Sequence, residues 1–256
     1  MMSPVRIFAL SVVMVAVVGE ARADGFLHSG SGARSVATGG AYLPGSRSAL
    51  DAMAINPAGL ALLNGPAVEL SLGAHFAAGT FVNRTNSDGR LSASGLVPYG
   101  AWGRPIGRSR YSVAVAVLPE LLSSAKWDYT DTPGGVGNVS YGRLQQQSSI
   151  TAFRFAGGLG IYLGRKVQVG ATLGTVLNTN RLQTAYVFQE HPALAGLKTE
   201  LDLQTSGTGI AASIGVIVQP TSRFRIGAAY KTQTKVESRG SATGNAGVQF
   251  AAIGLG

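Results

Sequence analysis

Apolar and polar residues alternate with a period of two in seven separate stretches of this 256-residue chain. The clearest stretch is VELSLGAHF at residues 68–76, in which the even positions are apolar and the odd positions are polar or small. This alternation is typical of β-strands with one apolar face. The other stretches are residues 97–104, 111–118, 151–163, 167–178, 208–219 and 224–236. The pattern therefore predicts an all-β fold.

The connections between these stretches alternate in length. The long ones are residues 79–94, 119–147 and 189–206, and the short ones are residues 105–110, 164–166 and 220–223. Outer-membrane barrels show this alternation because their periplasmic turns are short and their outer loops are long. A soluble sandwich or lipocalin-like barrel is the alternative, but it has no reason to alternate its loop lengths. We therefore expect a transmembrane antiparallel β-barrel.

The alternation also predicts where side chains point. The residues predicted to face the lumen are Glu69, Arg154, Gln168, Lys231 and Lys235. The residues predicted to face lipid are Leu70, Phe155, Leu173, Ile214 and Tyr230. The reverse arrangement would cost ~2–4 kcal/mol for each Arg or Lys at the midplane. Aromatic residues near strand ends are expected to form interfacial girdles. These aromatics are Tyr99, Trp102, Tyr111, Tyr162, Tyr186, Phe224 and Tyr230.

Residues 1–23 have the pattern of a secretory signal peptide. Arg6 precedes an apolar run over residues 7–18, and Ala21-Arg22-Ala23 provides a small-x-small cleavage site. The apolar run is too short to cross ~30 Å of hydrocarbon as a helix. The chain has no cysteine, so it can cross an oxidising compartment without forming disulfides. Its net charge of +9 is scattered, which gives no basic stripe for nucleic acid. We expect export to the bacterial outer membrane.

Residues 24–66 are rich in glycine, alanine and serine and lack the alternation, so we expect them to lie outside the barrel wall. A short helix is expected over residues 48–55, with Ser46 or Ser48 as its N-cap. It must end at Asn56, because Pro57 disfavours helical geometry in the preceding residue. Taken alone, Asn56-Pro57-Ala58-Gly59 is also an ordinary turn.

With its flanks, this segment resembles the FadL-type family of outer-membrane long-chain fatty-acid transport proteins. The resemblance rests on GARSVATGGA at residues 32–41, SALD at 48–51 and NPAGL at 56–60. Val117-Leu118-Pro119 resembles the family's interrupted third strand. QPT at residues 219–221, leading to IGAAYKT at 226–232, resembles a periplasmic turn and an outward strand. The resemblance covers most of residues 25–240.

The resemblance implies a monomeric fourteen-stranded barrel in which residues 24–66 fold inside as a hatch. It implies passive uptake of long-chain fatty acids or other hydrophobic small molecules, which leave sideways through a gap at the third strand. Pro119 has no N–H for the ladder, so pairing must lapse there; a strand that ends at a loop is the alternative. Gly25, Phe26 and Leu27 are implied to contact ligand, although a frayed terminus would look the same.

The chain departs from the family in three ways. Pro44-Gly45-Ser46-Arg47 stands where an acidic pair is common, and the loop after the fifth strand is short, which weakens the argument for an intact outer groove. The third departure is length: seven strands within residues 67–236 use about 24 residues each, so fourteen would need roughly 340. We expect residues 67–256 to form seven strands and the start of an eighth at residues 248–255. The parent barrel is then expected to continue past this chain.

Arg181 lies high on the fifth strand and could offer its cation to a fatty carboxylate. Strict alternation from Val167 instead places it on the lipid side, as a surface charge near anionic headgroups. The expected partners are thus a hydrophobic ligand, outer-membrane lipid and lipopolysaccharide.

No enzymatic motif stands out. Gly158-Leu159-Gly160 with Gly164 misses the dinucleotide fingerprint by one position. The three histidines, His28, His75 and His191, lack metal-binding spacing, so no metal or cofactor is expected. His75 near Ser71 leaves an outer-membrane lipid hydrolase as a remote alternative to transport. A general porin is the nearer alternative.

Overall fold

The structure is a computed structural model that describes residues 32–38, 47–107, 110–190 and 192–254. The signal peptide and the segment Gly25-Phe26-Leu27 lie outside these ranges. The strands are β1 (Ala67–Phe81), β2 (Gly89–Pro105), β3 (Tyr111–Thr130), β4 (Arg143–Leu163), β5 (Val167–Val187), β6 (Lys198–Thr221), β7 (Phe224–Lys231) and β8 (Glu237–Asn245). The helices are α1 (Ala33–Ala37), α2 (Ala49–Ala54), the 3-10 helix η1 (Pro57–Leu62) and α3 (Gly247–Ala252). None of these helices is long and apolar enough to cross a membrane.

One antiparallel sheet contains all eight strands and confirms the predicted all-β barrel wall. Strands β1 to β7 are neighbours in chain order, and β8 pairs with β6. Ser213 pairs with Lys231 in β7, and Thr208 pairs with Glu237 in β8. Five steps along β6 therefore correspond to six steps along the chain from β7 to β8. Strand β8 therefore continues β7 after a break with one extra residue.

Two predictions about the end of the chain are wrong. The expected strand over residues 224–236 stops at Lys231, because the next residues turn towards the inner face, where Val236 packs near Val176. Residues 248–255 were expected to begin a strand, but Gly247–Ala252 is helical. The helix is held because the buried Gln249 accepts a hydrogen bond from the Lys198 N–H at 3.0 Å.

The strands are longer than the alternation predicts. Strands β3 to β6 have 20 to 24 residues, so the described long connections shrink to residues 82–88, 131–142 and 188–197. The short turns remain short, and the predicted alternation of loop length is confirmed. Only about ten tilted residues are needed to cross the bilayer. In the outer halves of β3 to β6 the alternation disappears although the ladder continues.

The predicted facing of the wall is confirmed at most positions. Leu70, Phe155, Leu173, Ile214 and Tyr230 are all exposed on the outward face, Leu70 by 82%. Arg154 and Gln168 are buried on the inner face, where Glu69 and Lys231 also make contacts. Lys235 lies instead in the break between β7 and β8 and is exposed.

Two aromatic predictions need correction. Tyr99 belongs to an inner core cluster, and Tyr162 packs on the inner face beside Ala58, so neither is a girdle residue. Trp102, Tyr111 and Phe224 are exposed near the short turns, as expected for the girdle at that end.

The inner face of the sheet is covered by the described residues 47–66, which we call the inner segment. Its residues Leu50, Met53 and Leu60 form one cluster with wall residues such as Val97 and Ala114. Helix α2 and η1 therefore build the core that the sheet cannot build alone, because its other face is apolar and exposed.

Candidate functional site

The inner segment is fastened to β1 where α2 begins. Ser48 is the N-cap of α2, and its Oγ accepts a hydrogen bond from the Asp51 N–H at 3.0 Å. The same hydroxyl donates to Oε2 of Glu69 at 2.6 Å, and the Ala49 N–H donates to Oε1 of Glu69 at 2.5 Å. Hydrogen bonds to an ionised carboxylate are stronger than neutral ones. Glu69 thus positions the first turn of α2.

Asn56 fastens the inner segment at the opposite wall. Its Oδ1 accepts a hydrogen bond from the Ala58 N–H at 3.1 Å, which caps η1. Its Nδ2 donates to the carbonyl oxygens of Val216 in β6, at 3.3 Å, and Ala228 in β7, at 3.2 Å. The side chain is 2% exposed. One amide therefore caps a helix and ties it to two strands, which an ordinary exposed turn does not require.

Four wall glycines, which we call the seat, lie directly beneath the inner segment. Gly158 and Gly160 are in β4, Gly170 is in β5 and Gly215 is in β6. A Cβ on Gly160 would lie 2.6 Å from Cβ of Leu60, and one on Gly170 would lie 2.6 Å from the nitrogen of Ala58. A Cβ on Gly158 would meet Sδ of Met53, and one on Gly215 would meet Oδ1 of Asn56. Only glycine permits such close approach.

The hydrogen-bond ladder between β2 and β3 is interrupted beside this core. Ala93 pairs with Ala125 and Gly100 with Val117, but residues 94–99 and 118–124 do not pair with each other. We call this interruption the slit. At ~3.3 Å per residue its length is roughly 20 Å.

Strand β3 carries one extra residue across the interruption. Between the flanking rungs, β2 advances seven residues and β3 advances eight. On the other side of β3, Pro119 pairs with Phe153 and Leu121 with Ala152, so Glu120 is the residue without a rung. Pro119 also has no N–H to donate. The ladder between β3 and β4 therefore changes register at Glu120, next to the predicted Pro119, and Glu120 also lies within the interrupted stretch between β2 and β3.

Glu120 is the centre of a charged cluster in the lumen. One carboxylate oxygen lies 2.7 Å from Nε of Arg154, and the other forms an ion pair with Nζ of Lys231. Nη2 of Arg154 donates to the carbonyl oxygen of Met53 at 3.2 Å, which links the cluster to the inner segment. Nη1 is buried without a hydrogen-bond partner among the described residues. Sequence analysis placed Arg154 and Lys231 in the lumen but missed Glu120, whose only signal was a carboxylate after a proline in a strand.

A cavity of about 510 Å³ lies between α1 and the β1–β2 wall, on the inner side of the slit. Val36, Val97 and Tyr99 supply its apolar lining, while Ser71 and His75 are its polar residues. This volume is within the usual range for small-molecule pockets. The cavity therefore offers room for a hydrophobic ligand close to the interrupted ladder.

The remaining predicted site residues lie elsewhere. Arg181 is on the outward face, where its Nη2 lies 2.9 Å from Oδ2 of Asp202. Ser71 and His75 are four residues apart in β1, so their Cα atoms are separated by ~13 Å, too far for a serine–histidine hydrogen bond. The described residues contain no group of three side chains able to hold a metal.

Comparison with known proteins identifies a fold. No family model matches the chain, and no curated protein matches it. Among solved structures, the toluene transporter TbuX of Ralstonia pickettii is similar, with a TM-score of 0.66 and 23% sequence identity. The alignment covers 85% of this chain and 61% of TbuX, so the chain spans less than two thirds of that protein's length. The comparison supports a FadL-type fold and does not assign the chain to a family.

Proposed function

We propose that this chain forms the wall and hatch of an outer-membrane channel for passive uptake of hydrophobic small molecules. The observation that carries the proposal is the slit, which interrupts the wall beside a cavity of ligand size. An aqueous pore needs no opening towards lipid, whereas an apolar solute gains from leaving into hydrocarbon. Molecules would enter the cavity from the outer side and leave sideways between β2 and β3.

Residues 24–66 would act as the hatch. The inner segment occupies the space between the walls and is held by Glu69 and Asn56 at opposite sides. A hatch must also block ions. Deleting residues 24–43 should raise single-channel conductance. If the deletion leaves conductance unchanged and the intact chain admits small sugars, a general porin replaces this proposal.

Long-chain fatty acids are the proposed substrate class. Arg154 and Lys231 place two cations on one lumen carboxylate, and Nη1 of Arg154 has no partner among the described residues. The excess cation suits the carboxylate of an amphiphile. Gly25, Phe26 and Leu27 are proposed to contact its chain. Neutral aromatic solutes, such as the toluene named for TbuX, are the competing class.

The sharpest test removes the slit without removing the lumen. Deleting Glu120 leaves six residues of β3 opposite six residues of β2 between the flanking rungs, which lets both ladders of β3 run in one register. The matched control, Glu120→Ala, keeps the extra residue and loses only the charge. We expect the deletion to lower uptake of a labelled long-chain fatty acid at least tenfold in a Gram-negative host without its own fatty-acid channel. The alanine variant should retain most uptake. Equal uptake by both variants would contradict lateral exit.

A catalytic role has its own test. A fluorophosphonate probe should leave Ser71 unlabelled, because His75 is out of reach. Labelling that is lost in Ser71→Ala would support a lipid hydrolase instead.

A further inference from the structure

The outward face of the wall changes from apolar to polar residues partway along the strands. On β2 the outward positions include the exposed Trp102 near the short turn, the exposed Leu96 in the middle of the strand, and then Ser92 and Arg90. Ten residues separate Trp102 from Ser92, which corresponds to about 25 Å along the membrane normal for a strand tilted by ~40°. This equals the height of the apolar band of an outer-membrane barrel. Ser92 and Arg90 therefore lie where lipid headgroups begin.

A hollow of about 800 Å³ opens at this height across β1 to β5. Most of its lining comes from two outward rungs of the sheet. In one rung Arg90 pairs with Thr80 and with Asp128, and in the other Lys126 pairs with Ser92 and with Gln147. Small residues at Ala78, Gly79 and Ser92 leave room for a bound group.

The hollow carries an excess of positive charge. Its one carboxylate, Asp128, is occupied by Arg143, whose Nε lies 2.7 Å away. Arg90 and Lys126 are exposed, and neither has an ion pair within 4.0 Å among the residues the structure describes. Gln145, Gln147 and Gln183 add amide groups around them. Two cations with neighbouring amide donors are suited to a phosphate group.

We propose that this hollow binds the phosphate of a phosphorylated lipid of the outer leaflet through Arg90 and Lys126. A soluble phosphate ester would not need the surface below, where Phe76 and Leu96 are exposed and continue the apolar band downwards. A lipid uses both parts, because its phosphate meets the cations while its acyl chains follow the apolar side chains. The proposal rests on the proposed outer-membrane location but not on transport.

The hollow lies next to the outer end of the slit. The rung of Ser92 and Lys126 lies directly above Ala93 and Ala125, the last pair before the ladder between β2 and β3 lapses. A lipid held by Lys126 would therefore stand at the outer end of the slit. The bound lipid would cover the part of the opening that faces the headgroup region.

The test measures lipid binding by the full chain in nonionic detergent micelles, using native mass spectrometry. The probe is a bisphosphorylated glucosamine lipid (lipid A). We expect the double variant Arg90→Ala with Lys126→Ala to weaken binding at least tenfold. The matched control removes two cations at the opposite end of the wall, Arg165→Ala with Lys166→Ala, and should change binding by less than twofold. The charge-conserving pair Arg90→Lys with Lys126→Arg should retain binding, and circular dichroism should show unchanged β content in every variant.

Three results would overturn the site. Equal weakening by both alanine pairs would show non-specific attraction between a basic protein and an anionic lipid. Equal affinity for the dephosphorylated lipid would exclude phosphate recognition. Competition by millimolar inorganic phosphate as effective as by lipid A would indicate a site for a free anion. Fatty-acid uptake by the same variants is measured separately, so loss of the lipid site is distinguishable from loss of the transport proposal.

Discussion

The inner segment contacts two parts of the wall in different ways. At β4 to β6 the ladder is continuous and the contact is made by glycines, so backbone lies against backbone. At β2 and β3 the ladder is interrupted and the contact is made by side chains such as Val97, Tyr99 and Leu118. The difference indicates that the wall at β4 to β6 anchors the inner segment through its backbone, whereas the wall at β2 and β3 contacts it through side chains.

The largest effect is expected on the anchoring wall. In Gly170→Val the new Cβ would meet the carbonyl of Pro57 and the nitrogen of Ala58, and backbone cannot move aside as a flexible side chain can. We expect a loss of about 3 kcal/mol in the free energy of unfolding. Chemical denaturation in detergent measures it. Gly157→Val is the matched control, because no atom lies within 4 Å of a Cβ at that outward position. Equal losses in the two variants would contradict the close packing of the inner segment on the seat glycines.

A smaller effect is expected at the tie between the inner segment and the anchoring wall. Asn56→Ala removes the cap of η1 and both hydrogen bonds to β6 and β7. The expected loss is about 2 kcal/mol. Asn180→Ala is a suitable control, because among the residues that the structure describes that amide donates to the side chains of Asn178 and Thr205 and should cost less. If both alanine variants unfold alike, Asn56 is an ordinary turn residue.

On the wall with the slit, the expected effect is on selectivity. Arg154→Met removes one of the two cations on Glu120 while Lys231 remains to neutralise it. We expect the apparent KM for a long-chain fatty acid to rise about tenfold, since one charge-assisted contact is lost. Uptake of radiolabelled toluene should change by less than twofold. A parallel loss for both solutes would indicate a structural role for Arg154.

The smallest effect is expected for Arg181, whose cation does not face the inner segment. Arg181 is on the outward face and is paired with Asp202. Arg181→Ala should leave fatty-acid uptake within twofold of the unmodified chain in the same assay. A loss as large as that of Arg154→Met would instead indicate that Arg181 contacts the ligand.

The wall could be predicted because each strand has one apolar face, which gives its sequence a period of two. That signal is strong at residues such as Leu70 and Leu173 and is absent from the outer halves of β3 to β6, so the alternation assigns those halves to loops. The break after Lys231 and helix α3 depend on packing with distant residues, including Lys198, which no local pattern reveals.

The site was predictable only in part. Asn56 and Pro119 stood out because their chemistry is unusual in any strand or helix. The seat had a visible signal, since glycines occupy inward positions in β4, β5 and β6, but its meaning depends on a partner more than a hundred residues away. Glu120 gave no comparable signal, because a bulge is a mismatch between two strands and belongs to neither sequence alone.

The extra residue at Glu120 determines which kinds of mutation can alter the slit. A property that depends on strand register changes by whole residues, so it cannot be adjusted gradually by exchanging side chains. One in-frame codon supplies the residue that shifts the register of β3 against both of its neighbours. Relatives that opened or sealed this route would therefore differ by an insertion or deletion at this point, and substitutions elsewhere in the chain would only tune what the opening admits.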